Sequence, residues 1–350
     1  MTPKIVTFWL PNALPAARVQ SATAELKKLN LRHLQNLLSK ADAFSSKSRE
    51  FAEQACHLAH YPHALPVAPI TASMDLANFD PSLFWLRVDP VQMVPDRDQL
   101  LMMPPDILKV TESEAKALIT AFNEHFAADQ VQLLYGAPQR WYLSIKQVVD
   151  VQSTSLEKAA GCSIQDKLPK GNAATYWKQL LNETQMLFYT HPVNETRRMQ
   201  GLPEINSVWI WGEGRLPEFD QIAQDWCFLT EDIYLKGLAN WSGSAVQDLP
   251  QNNPYANTEN DQAWLNLSTK KRYFVYPDKL NHQLSDVTES QWLESLQTLE
   301  NDWFSVFEAQ LRAGEIESLL IDLGLGQYFH ITPKHFKKFW RRQKPLSHWA

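Results

Sequence analysis

Four short runs in this chain hold almost nothing but apolar and β-forming residues: Ile5–Leu10, Ser207–Trp211, Tyr273–Tyr276 and Leu319–Ile321. A strand that is apolar at every position has no face to give to water, so both of its faces need cover. Between the runs lie stretches with helical spacing. In Asn172–Thr190, for example, Trp177, Leu180, Leu181, Leu187 and Phe188 share one face. Strands and helices alternating in this way predict an α/β fold with a mostly parallel or mixed sheet. All four runs are expected in that one sheet.

A chain of 350 residues can bury a core of this kind, as one large domain or two ordinary ones. The net charge of −6 argues against a general nucleic-acid or anionic-membrane coat, since both are drawn by excess Lys and Arg. Thirteen tryptophans call for a large core with polar seams, or a binding surface, because each indole N–H needs an acceptor. Cys56, Cys162 and Cys227 are odd in number and far apart, which indicates neither a disulfide framework nor a zinc knuckle. The run Ile5–Leu10 is too short for a secretory segment and is closed by Pro11, so a cytoplasmic protein is expected, with no membrane partner.

Local signals set further boundaries. Leucines from Leu26 to Leu38 predict a helix over about Ala24–Lys40, and Ser48 is a plausible cap for one over Ser48–Tyr61. The Pro-rich "YPHALPVAPI" reads as irregular. Thr111 and Glu114 form a capping box, and Thr288 and Gly314 bracket a long helix. Asn194 reads as the cap of a short helix ending at Gly201.

The densest stretch is Thr190–Pro217, "THPVNETRRMQGLPEINSVWIWGEGRLP". Trp209 and Trp211 fall on one face of a strand by period two, with Val208 and Ile210 on the other. His191, Pro192, Val193, Asn194, Arg197, Gly201, Pro203, Asn206, Trp209, Trp211, Gly212 and Gly214 together resemble a segment of archaeal-type, cofactor-independent phosphoglycerate mutases of the alkaline phosphatase superfamily. "FWLRVDPVQMVPDRDQLLM", "RWYL" and "NETQMLFY" resemble more closely one bacterial branch, the RpfE-type regulatory proteins. The resemblance covers roughly residues 80–245. It implies an alkaline-phosphatase-like three-layer α/β core from residues 1–85 and 172–350, with a smaller α+β domain, 86–171, inserted.

The resemblance also implies a chemistry: two-metal phosphoryl transfer, with manganese or zinc held by Asp and His and a Ser or Thr nucleophile. The family's first strand ends in a metal-binding Asp-Gly; here Pro11-Asn12 follows it, and proline has no side-chain donor atom. Ser48 is the candidate nucleophile, although a helix cap explains it more simply. Asp278 and His282 fit the family's D-x-x-x-H metal pair, in a segment that Pro277 and Asn281 suggest is a loop. A late strand should end in Asp-His; Asp322 is followed by Leu323 and is read as lying inside its strand. His330 or His335 would be the last ligand, and each is as readily a surface residue. The family's Pro-Pro-His-Asp aligns with Gly161–Asp166, which has no His. Losing several ligands leaves no two-metal site, so a pseudoenzyme needing no cofactor is expected.

Two function classes stand. One is a non-catalytic, regulatory or ligand-binding relative with an anionic small molecule or a protein as partner. In it Arg140, Asn194, Arg197, Arg198 and Asn206 line the old cleft and hold an anion. The other is a working phosphoglycerate mutase or related phosphotransferase requiring manganese or zinc. Two further features read as ordinary structure: the basic, aromatic C-terminal run from Lys334 to Lys344, and Arg87 with Asp89 as an ion pair at a strand end.

Overall fold

The computed structural model describes residues 4–45, 47, 49–129, 131–218, 226–249, 271–285 and 287–349. Twelve strands run through them: β1 (Lys4–Trp9), β2 (Asp42–Ser45), β3 (Phe84–Asp96), β4 (Gln99–Met103), β5 (Leu133–Ala137), β6 (Arg140–Ile145), β7 (Ser207–Gly214), β8 (Trp226–Thr230), β9 (Ala245–Gln247), β10 (Arg272–Tyr276), β11 (Ile316–Asp322) and β12 (Gln327–Ile331). They form two sheets in two compact units. One unit is Met1–Arg49 with Phe219–Ala350; the other is Glu50–Glu218. The segment 86–171 that the resemblance sets apart is narrower than this second unit. Ser48, the candidate nucleophile, lies outside the described residues.

The first unit holds a seven-stranded mixed sheet in the order β2-β12-β11-β1-β10-β8-β9. β11, β1, β10, β8 and β9 are parallel, and β12 and β2 complete one edge antiparallel. The parallel strands are covered on both faces, as their composition requires. Val6, Phe8, Cys227, Leu229, Tyr273 and Val275 point into the core shared with Leu34, Trp292, Phe304 and Phe307. On the opposite face an aromatic layer runs across the strands: Trp9 lies 6.1 Å from Phe274, which stacks on Phe228 at 5.1 Å and meets Trp226 at 6.3 Å.

The helix expected over Ala24–Lys40 breaks into Thr23–Leu26 and Arg32–Lys40. The second piece is capped from a distance. The carboxylate of Glu300 accepts the backbone N–H groups of His33 and Leu34, two of the donors a helix start leaves unpaired. Glu300 opens a π-helical turn, Glu300–Phe304, between Glu289–Leu299 and Ser305–Ala313, and Gly314 ends that long helix in the left-handed conformation. Thr288 caps its helix as expected and also makes a capping box with Gln291, and Thr111 makes the expected capping box with Glu114.

The second unit holds an antiparallel sheet in the order β4-β3-β6-β5, with β7 also paired to β3. This corrects one expectation. Ser207–Trp211 lies in β7, which pairs with Trp85–Val91 and not with any strand of the sheet that contains Ile5–Leu10. The face alternation read from the sequence is observed: Val208 and Ile210 pack with helix residues Leu118, Phe122, Trp177 and Phe188. A second correction concerns the Pro-rich segment. Val67–Asp75 is a helix, with Pro69 in its first turn, where the missing N–H costs no hydrogen bond. Its Ala68 and Ala72 pack on Trp85 and Tyr142.

That face of the second sheet carries a buried polar seam. Arg87 donates to the carboxylate of Asp89 through Nε at 2.9 Å and Nη2 at 2.7 Å, and Trp211 Nε1 donates to it at 2.8 Å. The pair lies within β3, not at its end, and both residues are buried. The Arg87 guanidinium sits over the rings of Trp211 and Tyr142. Tyr142 in turn donates to Asp75 at 2.6 Å.

Removing one partner of such a pair leaves the other charge buried and uncompensated. Asp89→Asn should therefore cost about 3–5 kcal/mol in urea unfolding. The double change Arg87→Met with Asp89→Leu should cost clearly less; an equal or greater loss would refute this reading of the seam. A second prediction concerns Gly324, in the turn after β11. Its φ is +86°, and a Cβ there would meet the backbone oxygen of Pro11, whereas Gly326, at φ +69°, has open space around it. Gly326→Ala should cost about 1 kcal/mol for its backbone conformation alone. Gly324→Ala should cost about 3 kcal/mol or more, because backbone atoms must move apart. Equal losses in thermal unfolding would show that the turn yields.

Candidate functional site

Parallel strands deliver their C-terminal ends to one edge of a sheet, and in open α/β sheets that edge is where ligands bind. Here β1, β8, β10 and β11 bring together Pro11-Asn12, Glu231-Asp232, Asp278 and Asp322. Asp278 opens the helix Asp278–Ser285, so Asp278 and His282 share a helical face one turn apart; the loop expected there is a helix. Asp322 is the last residue of β11, paired with Trp9, and does not lie inside the strand.

Each group at this edge has a structural occupation. Asn12 binds Asn281 twice: its N–H donates to Asn281 Oδ1 at 2.9 Å, and its side-chain amide donates to the Asn281 carbonyl at 3.1 Å. Asn281 passes the contact on to the Tyr276 hydroxyl. Asp278 accepts the backbone N–H of Glu231, bridging the ends of β10 and β8. Asp322 accepts the N–H of Gly324 inside its own turn. Asp232 caps the helix Ile233–Trp241 by accepting from Leu235 N–H at 2.9 Å. Loss of solvent pushes the Asp232 carboxyl up to about 6; the helix N–H groups pull against this, and the negative Asp278 adds to it. Sequence reasoning missed Asp232 and Asn281. The Asn281 signal was present, since it sits within the D-x-x-x-H spacing and matches Asn12 in chemistry.

A two-metal site needs carboxylates and imidazoles converging from several strand ends. The set here fits that poorly. The first position offers only the neutral side-chain amide of Asn12, whose Nδ2 donates to the Asn281 carbonyl, and the late Asp has no adjacent His. Among the described residues no group of three or more His, Cys, Asp and Glu is arranged to hold a metal ion. His335 is buried, not a surface residue; its Nε2 lies 3.0 Å from Asp42. His330, on β12, lies 2.7 Å from the hydroxyl of Ser318.

The residues expected to hold an anion are engaged within the second unit. Arg197 is 1% exposed; it donates to the carbonyls of Pro203 and Leu108 and pairs with Glu114 at 2.8 Å. Arg198 pairs with Glu204 at 2.9 Å. Arg140 forms a two-pronged pair with Asp75, both contacts at 2.9 Å. Asn194 does not cap its helix. His191 does, and Asn194 is buried inside Pro192–Met199, donating to the Phe188 and Ile205 carbonyls and accepting from Ile205 N–H. Asn206 ties β7 to β3 by a two-way bond with the Met93 backbone. Glu213 accepts from Ser153. Within this stretch Asn194, Arg197 and Asn206 thus satisfy backbone groups that would otherwise be left unpaired.

No family model matches the chain. Similarity to known proteins nonetheless points one way. Over 252 residues the chain is 22% identical to the 2,3-bisphosphoglycerate-independent phosphoglycerate mutase of Methanosarcina barkeri, a match covering 63% of each chain. Over 154 residues it is 27% identical to a probable enzyme of the same name from Geobacter sulfurreducens, covering 43% of this chain and 38% of that one. The chain thus matches less than two thirds of the length of these relatives. Among solved structures, the cofactor-independent phosphoglycerate mutase of Thermoplasma acidophilum superposes with a TM-score of 0.53 at 12% identity, covering 99% of this chain and 95% of that one. A mixed α/β core with a separate antiparallel sheet is the fold they share, and this chain is a distant relative of the archaeal-type cofactor-independent phosphoglycerate mutases.

Proposed function

We propose that the chain keeps the mutase-like fold without the phosphoryl-transfer chemistry and acts as a regulatory or ligand-binding protein of the RpfE type. The observation that carries this reading is the Asn12–Asn281 pair. It stands at the end of β1, where the family resemblance calls for a metal-binding Asp, and it closes the loop there with neutral amides. A neutral amide is a weaker ligand for manganese or zinc than a carboxylate. The test is direct. The protein, incubated with manganese or zinc and dialysed, should retain less than one ion per chain by elemental analysis, and should not interconvert 3- and 2-phosphoglycerate. Turnover in manganese that chelation abolishes would overturn the reading.

A second reading, an active metal-dependent mutase or phosphotransferase, is favoured by one observation: Asp232, Asp278 and His282 lie within electrostatic reach of one another at the same strand ends. Asp232 separates the two. Its folded-state value, about 6, is above that of an unfolded Asp. A raised carboxyl contributes stability that is fully present below about pH 4 and is lost as pH rises through about 6. The loss should be on the order of 2 kcal/mol. Asp232→Asn, which keeps a capping side chain, should flatten the Tm profile between pH 4 and 7. Without a bound metal, added manganese should leave the parent's profile unchanged; a manganese-dependent flattening in the parent would favour the enzyme.

A further inference from the structure

The C-terminal segment is fastened to the first unit and leaves a cationic, aromatic cleft beside the fastening. Arg341 donates to the carbonyls of Lys40 and Ala41 and to Asp42, while Lys40 donates to the carbonyls of Lys338 and Arg341. Asp42 also takes His335, and these partners hold its carboxyl well below the usual range. The segment is therefore a fixed wall. Next to it opens a cleft of about 720 Å³ lined by Trp340, Arg341, Arg342, Lys344, His348 and Trp349, with no carboxylate among its lining residues. That volume is in the range of small-molecule sites, roughly 300–1,000 Å³.

The side chains of this wall divide in two. Arg341 has its charge met by Asp42. Among the described residues Arg342 is exposed and has no ion-pair partner, and the Lys344 ammonium meets His348 Nε2 at 2.8 Å and no carboxylate. Trp340 is 65% exposed and Phe339 84%, their rings edge to face at 5.3 Å. Exposed indole carries a cost in water that a stacked planar ring removes, and free guanidinium and ammonium groups bind phosphate oxygens.

We propose that this cleft binds a nucleotide, with the base stacked on Trp340 and the phosphates held by Arg342 and Lys344. A free nucleotide fits better than a nucleic-acid strand, because the chain as a whole carries a net charge of −6. The site is separate from the strand ends, and working in a chelator excludes any metal-dependent binding there.

The experiment is calorimetric titration of the full chain in chelator with ADP, adenosine, pyrophosphate and a short oligothymidylate. ADP should bind saturably. Adenosine and pyrophosphate, each lacking half the recognition, should bind at least about tenfold more weakly. Trp340→Ala and Arg342→Ala should each weaken ADP about tenfold, in line with the usual worth of one stacking contact, and Trp340→Phe should restore most of the loss. Both residues are exposed, so thermal unfolding of the variants should match the parent. The comparison of ligands on the parent decides the question without any variant. Absence of saturable ADP binding, equal binding of pyrophosphate and ADP, an unchanged Trp340→Ala variant, or binding of the oligothymidylate alone would each overturn the site.

Discussion

A strand in the middle of a parallel sheet has no free side. Every N–H and C=O of β1 must find a partner in β10 or β11, and every side chain must be covered above or below. The rest of the first unit follows from this. Covering one face calls for the long helix ending at Gly314 and the helix Arg32–Lys40; covering the other gathers Trp9, Trp226, Phe228 and Phe274 into one aromatic layer. The parallel arrangement then places the ends of β1, β8, β10 and β11, with that of β9, at one edge. Strand pairing and burial, not any group bound at that edge, hold these ends in place.

The contacts at these strand ends also stabilise. The Asn12–Asn281 pair joins the end of β1 to the helix Asp278–Ser285 through neutral groups, and Asp278 bridges the ends of β10 and β8 through a backbone N–H. Each contact satisfies a polar group at the sheet edge, so the edge is locked as it stands. Arg140, Arg197 and Arg198 show the same logic in the second unit, where guanidinium groups of a kind suited to anions are bound to carboxylates of the chain itself.

The parts of this architecture that were legible in the sequence are those fixed by neighbours in the chain. The capping box at Thr111, the cap at Thr288, the stop at Gly314 and the two faces of Ser207–Trp211 are local matters of spacing and φ. The sheet to which Ser207–Trp211 belongs was not legible. Its partners, Trp85–Val91, lie far away in the chain, and an apolar run serves equally in either sheet. The helix Val67–Asp75 was hidden by reading Pro69 as a breaker, when proline in a first turn breaks nothing. The site divided in the same way. The absence of Asp after β1 could be read directly, but the burial of Arg197 against Leu108 and the pairing of Asn12 with Asn281 are long-range facts.

The cap that Glu300 supplies to the helix Arg32–Lys40 bears on how the chain is made. A ribosome releases His33 and Leu34 long before Glu300, and β1 long before its neighbours β10 and β11. The helix Arg32–Lys40 and the first strand therefore emerge without the groups that finish them. The stretch Glu50–Glu218, by contrast, contains its own sheet and closes on itself while the remainder is still being translated. Synthesis thus runs against assembly: the middle of the chain matures first, and its opening residues wait, backbone unpaired, for its end.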